Sequence, residues 1–157
     1  MKRMLCVLLT LLLCAASAQA DTVLETVDYD NAAEISTKSQ DGLYLYVVLE
    51  DGTAGITGYL GDETALVIPS VVDDLHVTAI GAYAFEYAAL TSVVIPEGVT
   101  VIDCEAFAAA SALKEITLPS TLREIGEEAF IGCALEKVTL SEGVETLGER
   151  AFAGCWN

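Results

Sequence analysis

The side chains that most often perform chemistry are sparse in this sequence, and none stands at the spacing that catalysis or metal binding requires. His76 is the only histidine, and without partners at a defined spacing it is best explained as a solvated turn residue. The residues Ser92, Ser111 and Ser120 lie outside any G-x-S-x-G motif of a nucleophilic serine. The sequence also lacks the phosphate-binding loop, the dinucleotide-binding glycine run and the zinc-binding H-E-x-x-H motif. We therefore predict no enzyme activity, no catalytic residues, no metal site and no cofactor.

Paired acids and paired cysteines are the remaining candidates for chemistry. Glu127 and Glu128 could supply two carboxylates, as a glycosidase requires, but adjacent acids are common at the solvated start of a helix, and we assign them that role. Cys133 and Cys155 each follow a phenylalanine by three residues, so a repeating fold would stack them one repeat apart, near the strand spacing of about 4.8 Å. That distance suits either a disulfide or two buried free thiols, and parallel side-chain directions favour the thiols.

The N-terminus has the three parts of a secretory signal peptide. Lys2 and Arg3 precede an apolar run from Met4 to Leu13, and an A-x-A site follows at residues 18–20. The run is too short to cross a bilayer, and no later apolar run has that length. We predict a signal peptide at 1–20 and a chain that is secreted or at the cell surface, without membrane insertion after cleavage. The formal net charge of −17 argues against binding to nucleic acid or anionic lipid.

A motif that recurs at a fixed period occupies most of the remaining sequence. Four phenylalanines are spaced at intervals of 22, 23 and 22 residues. An alanine directly precedes each of them, and an isoleucine or leucine stands five positions before it. These core repeat positions are Phe85, Phe107, Phe130 and Phe152. A period of about 20–29 residues with the apolar pattern L-x-x-V-x-L is typical of a leucine-rich repeat solenoid.

One such repeat cannot fold by itself. It carries roughly five or six core side chains, and burying each contributes about 1.5–3 kcal/mol. Ordering its residues costs on the order of 30 kcal/mol in conformational entropy. Stability must therefore be collective, because each coil covers the apolar face of its neighbour and pairs its strand.

The pattern within a repeat predicts its elements. The segments "LTSVVIP", "LKEITLP" and "LEKVTLS" are expected to be strands, and "LREIG" and "VETLG" short extended pieces on the opposite flank. We expect "GEEAFIGC" and "GERAFAGC" to form single helical turns that end at Gly132 and Gly154. The predicted fold class is an α/β repeat solenoid, a right-handed leucine-rich-repeat coil that is rich in strand, with single-turn helices and an N-terminal β-hairpin cap.

The chain before and after the repeats predicts how the solenoid is bounded. Residues 21–42 lack a clean period and are interpreted as a linker or irregular arm, whereas residues 43–60 alternate around Asp51-Gly52, a strong hairpin signal. The hairpin is expected to cap the first repeat in a domain of residues 43–157, with the repeats at about 64–157. The sequence ends at Trp156-Asn157, where another strand is due. Either this is a fragment of a longer gene, or the last coil is uncovered at the C-terminus and self-association follows.

The repeat resembles the BspA-like class of leucine-rich repeats. The third repeat carries the likeness as Ile-Gly-x-x-Ala-Phe-x-x-Cys followed by Leu-x-x-Val-x-Leu, at Ile125, Gly126, Ala129, Phe130, Cys133, Leu135, Val138 and Leu140. The lead-in from Asp51 to Gly81 is similar to the family's usual opening, so the resemblance spans about residues 43–157. It implies a secreted or surface protein, in some members an adhesin, with no catalytic residues. Asp103 departs from the pattern by replacing the glycine after Ile102, where aspartate would tolerate an unusual backbone angle.

The exposed face of the strand ladder is the candidate binding surface. Period-two alternation turns two rows of side chains to solvent: Ala65, Ser92, Glu115 and Lys137 in one, and Val67, Val94, Thr117 and Thr139 in the other. We hypothesise a secreted, non-catalytic interaction or adhesion module that binds an extracellular protein or glycan through this face. The alternative is a structural spacer, or an N-terminal fragment of a larger surface protein, without binding activity of its own.

Overall fold

A computed structural model describes residues 36–155. The predicted signal peptide and the arm up to residue 35 lie outside the described residues and remain predictions. The described part forms eleven strands: β1 (Thr37–Lys38), β2 (Tyr44–Val48), β3 (Ala54–Tyr59), β4 (Ala65–Val67), β5 (Val71–Val72), β6 (Leu75–Ile80), β7 (Ser92–Val94), β8 (Val101–Ile102), β9 (Glu115–Thr117), β10 (Glu124–Ile125) and β11 (Thr146–Leu147).

The strands form two sheets on opposite flanks of stacked coils. The long sheet has the order β1-β2-β3-β6-β8-β10-β11, with β5 attached to β6, and the short sheet has the order β4-β7-β9. Ile80, Ile102, Ile125 and Leu147 are directly paired along the long sheet in parallel register. The period of the sequence is therefore the period of the coil, and the predicted solenoid is confirmed.

The four phenylalanines form one column through the core. Successive ring centroids from Phe85 to Phe107, Phe130 and Phe152 are 4.9, 5.2 and 5.1 Å apart, with interplanar angles of 3°, 9° and 4°. The first three rings are buried, whereas Phe152 is only partly buried. Each ring therefore obtains its burial from the coils on either side of it.

The predicted single-turn helices are wrong, and with them the α/β class. Residues 36–155 contain no helix; the segments at 82–87, 104–109, 127–132 and 149–154 are turns. Every second N–H group in these segments donates to the next coil instead of within its own turn. Phe107 N–H donates to the carbonyl of Ala129 in the next coil at 2.8 Å, whereas Ala108 N–H donates to the carbonyl of Glu105 in the same turn at 3.0 Å. Positive φ values at Glu105 (51°) and Ala109 (54°) also interrupt any helix. The fold is a β-solenoid of stacked coils.

The hairpin closes the N-terminal end of the solenoid, as predicted. Strands β2 and β3 pair antiparallel around Gly52, which has φ 80°, and β3 pairs in parallel with β6 of the first coil. The Tyr59 ring lies 6.2 Å from the Phe85 ring, so the phenylalanine column is covered at this end. Strand β1, within the segment interpreted as a linker or irregular arm, adds a further strand to β2.

Close contact between coils explains Gly126, the glycine that follows Ile125 of β10. A Cβ atom at Gly126 would lie 2.5 Å from the backbone N of Cys104 in the preceding coil, although the φ of Gly126 is not positive. In the second coil Asp103 takes this position, also without a positive φ, and its carboxylate accepts a hydrogen bond from Cys104 N–H at 2.7 Å. Contact distance, rather than the backbone angle expected from the sequence, therefore selects glycine here.

Candidate interaction surface

The short sheet presents the two predicted rows of side chains. In its parallel register Ala65, Ser92 and Glu115 are paired across β4, β7 and β9, as are Val67, Val94 and Thr117. The residue between the two rows points inward in each strand: Leu66 and Val93 are buried, and Ile116 packs against the core. Alternation along β4, β7 and β9 therefore turns the residues of the two rows to the outer face.

The fourth strand of the predicted ladder does not form. Lys137 joins the sheet only through an isolated bridge to Glu115, and Thr139 lies outside any strand. A single neighbouring coil does not by itself explain this, because the edge strands β4 and β11 also pair on one side only and still form. The regular face therefore consists of three strands, with Lys137 at its margin.

The face has an apolar half and a charged half. Val67 and Val94 are 68% and 38% exposed and directly paired, and the residues around them are hydroxylated or small. Beside the third and fourth coils, Lys114 and Glu136 approach to 3.7 Å with both side chains about 60% exposed. Exposed pairs of this kind stabilise little, so their main effect is to neutralise charge locally. The apolar half is the part of the face whose exposed side chains a partner could bury.

One acid at the edge of this face escaped the sequence analysis. Glu97, in the loop after β7, accepts hydrogen bonds from the N–H of Ser120 at 3.0 Å and from its hydroxyl at 2.9 Å. These donors favour the charged carboxylate, and the backbone bond followed by the hydroxyl bond lowers the pKa of Glu97. The two residues join successive loops of the solenoid, and only the coil register, which sets them 23 residues apart, could have paired them from sequence.

The cysteines are structural rather than reactive. Cys133 and Cys155 are both free thiols, as favoured from the sequence. The Cys133 thiol donates to the Phe107 carbonyl at 3.1 Å, and the Cys155 thiol donates to the Phe130 carbonyl at 3.3 Å. Burial, followed by the nearby Cys155, raises the pKa of Cys133 to about 12, so its thiolate is scarce at neutral pH.

The remaining candidates for chemistry stay isolated from one another. His76 is exposed in β6 opposite Val71. No group of three or more His, Cys, Asp or Glu side chains that could hold a metal occurs within residues 36–155. In the same part of the chain there is no helix that could span a membrane.

A shallow depression lies beside the hairpin. Its volume is about 190 Å³, and its lining includes Tyr59, Phe85, Asp62 and Glu63. Sites for small molecules usually enclose about 300–1,000 Å³, so the depression does not suit a cofactor. The short sheet therefore remains the better candidate for a functional surface.

Comparison with known proteins agrees with the repeat fold seen in the structure. The family model described as "BspA type Leucine rich repeat region (6 copies)" matches residues 78–157. No curated protein sequence matches the chain.

Three solved structures illustrate the likeness. A leucine-rich repeat protein from Bacteroides capillosus is 34% identical, with a TM-score of 0.66 over 75% of this chain and 90% of that one. The T. pallidum leucine-rich repeat protein is 29% identical, with a TM-score of 0.62 over 76% and 68% of the two chains. A leucine-rich cell surface protein from Faecalibacterium prausnitzii is 29% identical, with a TM-score of 0.60 over 77% of this chain and 40% of that one.

Proposed function

Starting from the finding that this chain belongs to the BspA-type leucine-rich repeat family, we propose that it is a secreted or cell-surface, non-catalytic module that binds an extracellular protein or glycan. The signal-peptide pattern at 1–20 supports export, and one structural neighbour is described as a cell surface protein. The observation that carries the proposal is the pair Val67 and Val94, which is exposed on the outer face of the short sheet. The inner face of the same sheet packs against the core.

The size of the face indicates how binding would occur. Three strands at about 4.8 Å span roughly 15 Å, which is too little for the ~800 Å² per partner of a standard interface. A single copy would therefore bind weakly, and adhesion would require many copies on one surface. The charged half would contribute little to steering, because its lysine and glutamate already neutralise each other.

A paired-variant experiment tests this proposal. Val94→Lys with Thr117→Lys adds two charges to the face. As the hairpin variant, Val48→Lys with Thr37→Lys makes the same exchange at exposed positions of β2 in the hairpin and of the neighbouring strand β1. The purified proteins are coated on beads for multivalent display and applied to a glycan array and an array of purified secreted proteins. We expect the face variant to lose the signals of the wild type and the hairpin variant to keep them. Equal signals from both variants, with unchanged melting temperatures, would place binding elsewhere.

The second candidate function is a structural spacer within a larger surface protein. The supporting observation is that two structural neighbours are longer, since the chain spans 38% and 40% of their lengths. A spacer would give no specific signal on either array, with or without the face substitutions. Export is tested separately by fusing residues 1–20 to a reporter that is active only outside the cytoplasm.

A further inference from the structure

We propose that the depression beside the hairpin binds a lysine side chain that belongs to an extended segment of a partner protein. The depression lies on the N-terminal side of the first coil, between the segment at 60–64 and the turn at 82–87. None of its lining residues belongs to the two rows on the outer face of the short sheet. The proposal therefore does not depend on what that face binds.

The bottom of the depression is apolar. Phe85 and Leu90 are each 2% exposed, and they line it together with Tyr59, whose ring centroid lies 6.2 Å from that of Phe85. The volume of about 190 Å³ is below the range of sites for whole small molecules, about 300–1,000 Å³, and suits a single long side chain. An alkyl stem would be buried against these residues.

A carboxylate stands at the position where the other repeats have their first leucine. The register of β4 and β7 sets Glu63 opposite Leu90, and the register of the following strands sets Leu113 and Leu135 in the same row. A leucine at residue 63 would continue this apolar row over the first coil. Because Glu63 is charged and exposed, the row ends at Leu90 and the depression stays open.

The rim of the depression is negatively charged. Asp62, Glu63 and Glu86 all line it. The ion pairs within residues 36–155 all lie between Lys114 and Arg150, so neither Asp62 nor Glu63 has a basic partner there. A lysine side chain matches both parts of the site, since its stem contacts the apolar bottom and its ammonium group reaches the carboxylates.

The turn supplies an unused hydrogen-bond acceptor beside these acids. In the second coil the Ala106 carbonyl accepts from Phe85 N–H of the preceding coil at 2.8 Å. Ala84 has the equivalent position in the first coil, is 7% exposed and lines the depression. Its carbonyl accepts no hydrogen bond from the described residues, whereas the N–H groups of Ala84 and Phe85 both donate within the fold. An ammonium group, which only donates, would satisfy this carbonyl.

The neighbouring edge of the short sheet favours a peptide over a free amine. Thr64 and Ile68 turn backbone groups toward β7, so alternation turns those of Ala65 and Val67 to the other side. Strand β4 pairs only with β7, so that side has no partner strand among the described residues. This edge begins two residues after Glu63. An extended segment can therefore add to β4 as a strand while its lysine enters the depression.

Charge favours an occupant from another protein. The formal net charge of the chain is −17, and residues 21–35 contain five acidic residues and no lysine or arginine. A second copy or the chain's own N-terminal arm would bring net negative charge to an acidic rim. A basic segment of a partner is complementary to it.

An NMR titration of the isotope-labelled chain tests the proposal. The probe is the pentapeptide Thr-Val-Lys-Val-Thr, acetylated and amidated so that lysine carries its only charge. Because the contact is small, we expect a dissociation constant of about 1 mM, with amide shifts around Glu63, Phe85 and Val67. The same peptide with acetyl-lysine keeps the stem and loses the charge, and its dissociation constant should be about tenfold higher or more. Butylammonium, which has no backbone to pair with β4, should bind more weakly than the peptide.

Paired variants of equal charge locate the site. Asp62→Asn with Glu63→Gln should raise the dissociation constant about tenfold. Glu50→Gln with Asp74→Asn removes the same charge at exposed positions outside the depression and should change it by less than about twofold. Glu63→Leu places the leucine of the other coils in the depression and should abolish binding. Its melting temperature should equal or exceed that of the wild type, so that loss of binding is not explained by unfolding.

Several results would overturn the proposal. These are an absence of shifts at these amides, equal affinity for the acetyl-lysine peptide, and equal weakening by the two paired variants, which would indicate attraction by net charge alone. Butylammonium that binds as tightly as the peptide would make the ligand a free amine. In the peptide-free chain, shifts at these amides that depend on protein concentration would identify a second copy as the occupant, and NOE contacts from residues 21–35 would identify the arm.

Discussion

At the N-terminal end of the solenoid Ile80 and Phe85 are buried beneath the hairpin, whereas at the C-terminal end Leu147 and Phe152 are exposed or only partly buried. These residues have equivalent positions in their coils and nearly equivalent chemistry. Their different burial comes from what lies beyond them: β3 and Tyr59 at one end, and no further described coil at the other. In a stacked fold, the stabilisation that a residue contributes is a property of its neighbours as well as of its own side chain.

The largest expected effect comes from removing an interior ring of the phenylalanine column. Phe107→Ala should lower the free energy of unfolding by about 3–5 kcal/mol, because it leaves a cavity between two stacked rings. Phe152→Ala removes a ring that, among the described residues, is stacked on one side only, and it should cost about 1–2 kcal/mol. Urea denaturation of both variants measures the difference. Equal costs would mean that Phe152 is covered as fully as an interior ring, and the comparison would fail.

A smaller effect is expected from the close contacts between coils. Gly126→Ala places a Cβ atom 2.5 Å from a backbone nitrogen of the preceding coil, and the required shift should cost about 1–3 kcal/mol. Gly81→Ala is the matched change at the hairpin end, where the new Cβ would lie 3.0 Å from the Ile56 carbonyl oxygen. We expect its cost to be smaller, about 1 kcal/mol or less. Thermal melts of the two variants would contradict this account if Gly81→Ala were the more destabilising.

The effect that is smallest near neutral pH, and that grows as the pH rises, should come from a buried thiol. Burial raises the pKa of Cys133 from 9.0 to about 12, so between these values the unfolded chain loses a proton that the folded chain retains. Stability should therefore fall as pH rises above about 9. Cys133→Ala, which introduces the residue found at the same position in the first two coils as Ala88 and Ala110, should flatten the slope. Cys155→Ala should flatten it less, because Cys155 is less buried. Identical slopes in all three proteins would refute this assignment.

The sequence predicted the parts of the fold that depend on period and alternation. The spacing of the phenylalanines gave the coil register and the core column, and the alternation around Val93 and Ile116 gave the outer face of the short sheet. Asp51-Gly52 identified the hairpin, since a turn with positive φ has a strong local signal. These features follow from local rules repeated in every coil.

The features that were missed depend on contacts between coils. The turns were interpreted as helices because Gly132 and Gly154 look like helix-ending glycines, yet Ala109 adopts the same positive φ without being glycine. Hydrogen bonds between neighbouring coils hold that backbone, and a single repeat does not reveal them. The fourth strand was also predicted wrongly: "LEKVTLS" matches the pattern as well as its neighbours do, yet it joins the sheet only through the bridge from Lys137 to Glu115. The partner could not be predicted from the sequence either, because two exposed valines, Val67 and Val94, favour an apolar contact without selecting a particular ligand.

Amide hydrogen exchange of the chain is the most direct test of the claim that each coil is stabilised by the coil beyond it. We predict strong protection at the N–H groups of Phe85, Phe107 and Phe130, which donate to the next coil, and fast exchange at Phe152, whose N–H has no acceptor within residues 36–155. Protection at Phe152 equal to that at Phe107 would contradict the account.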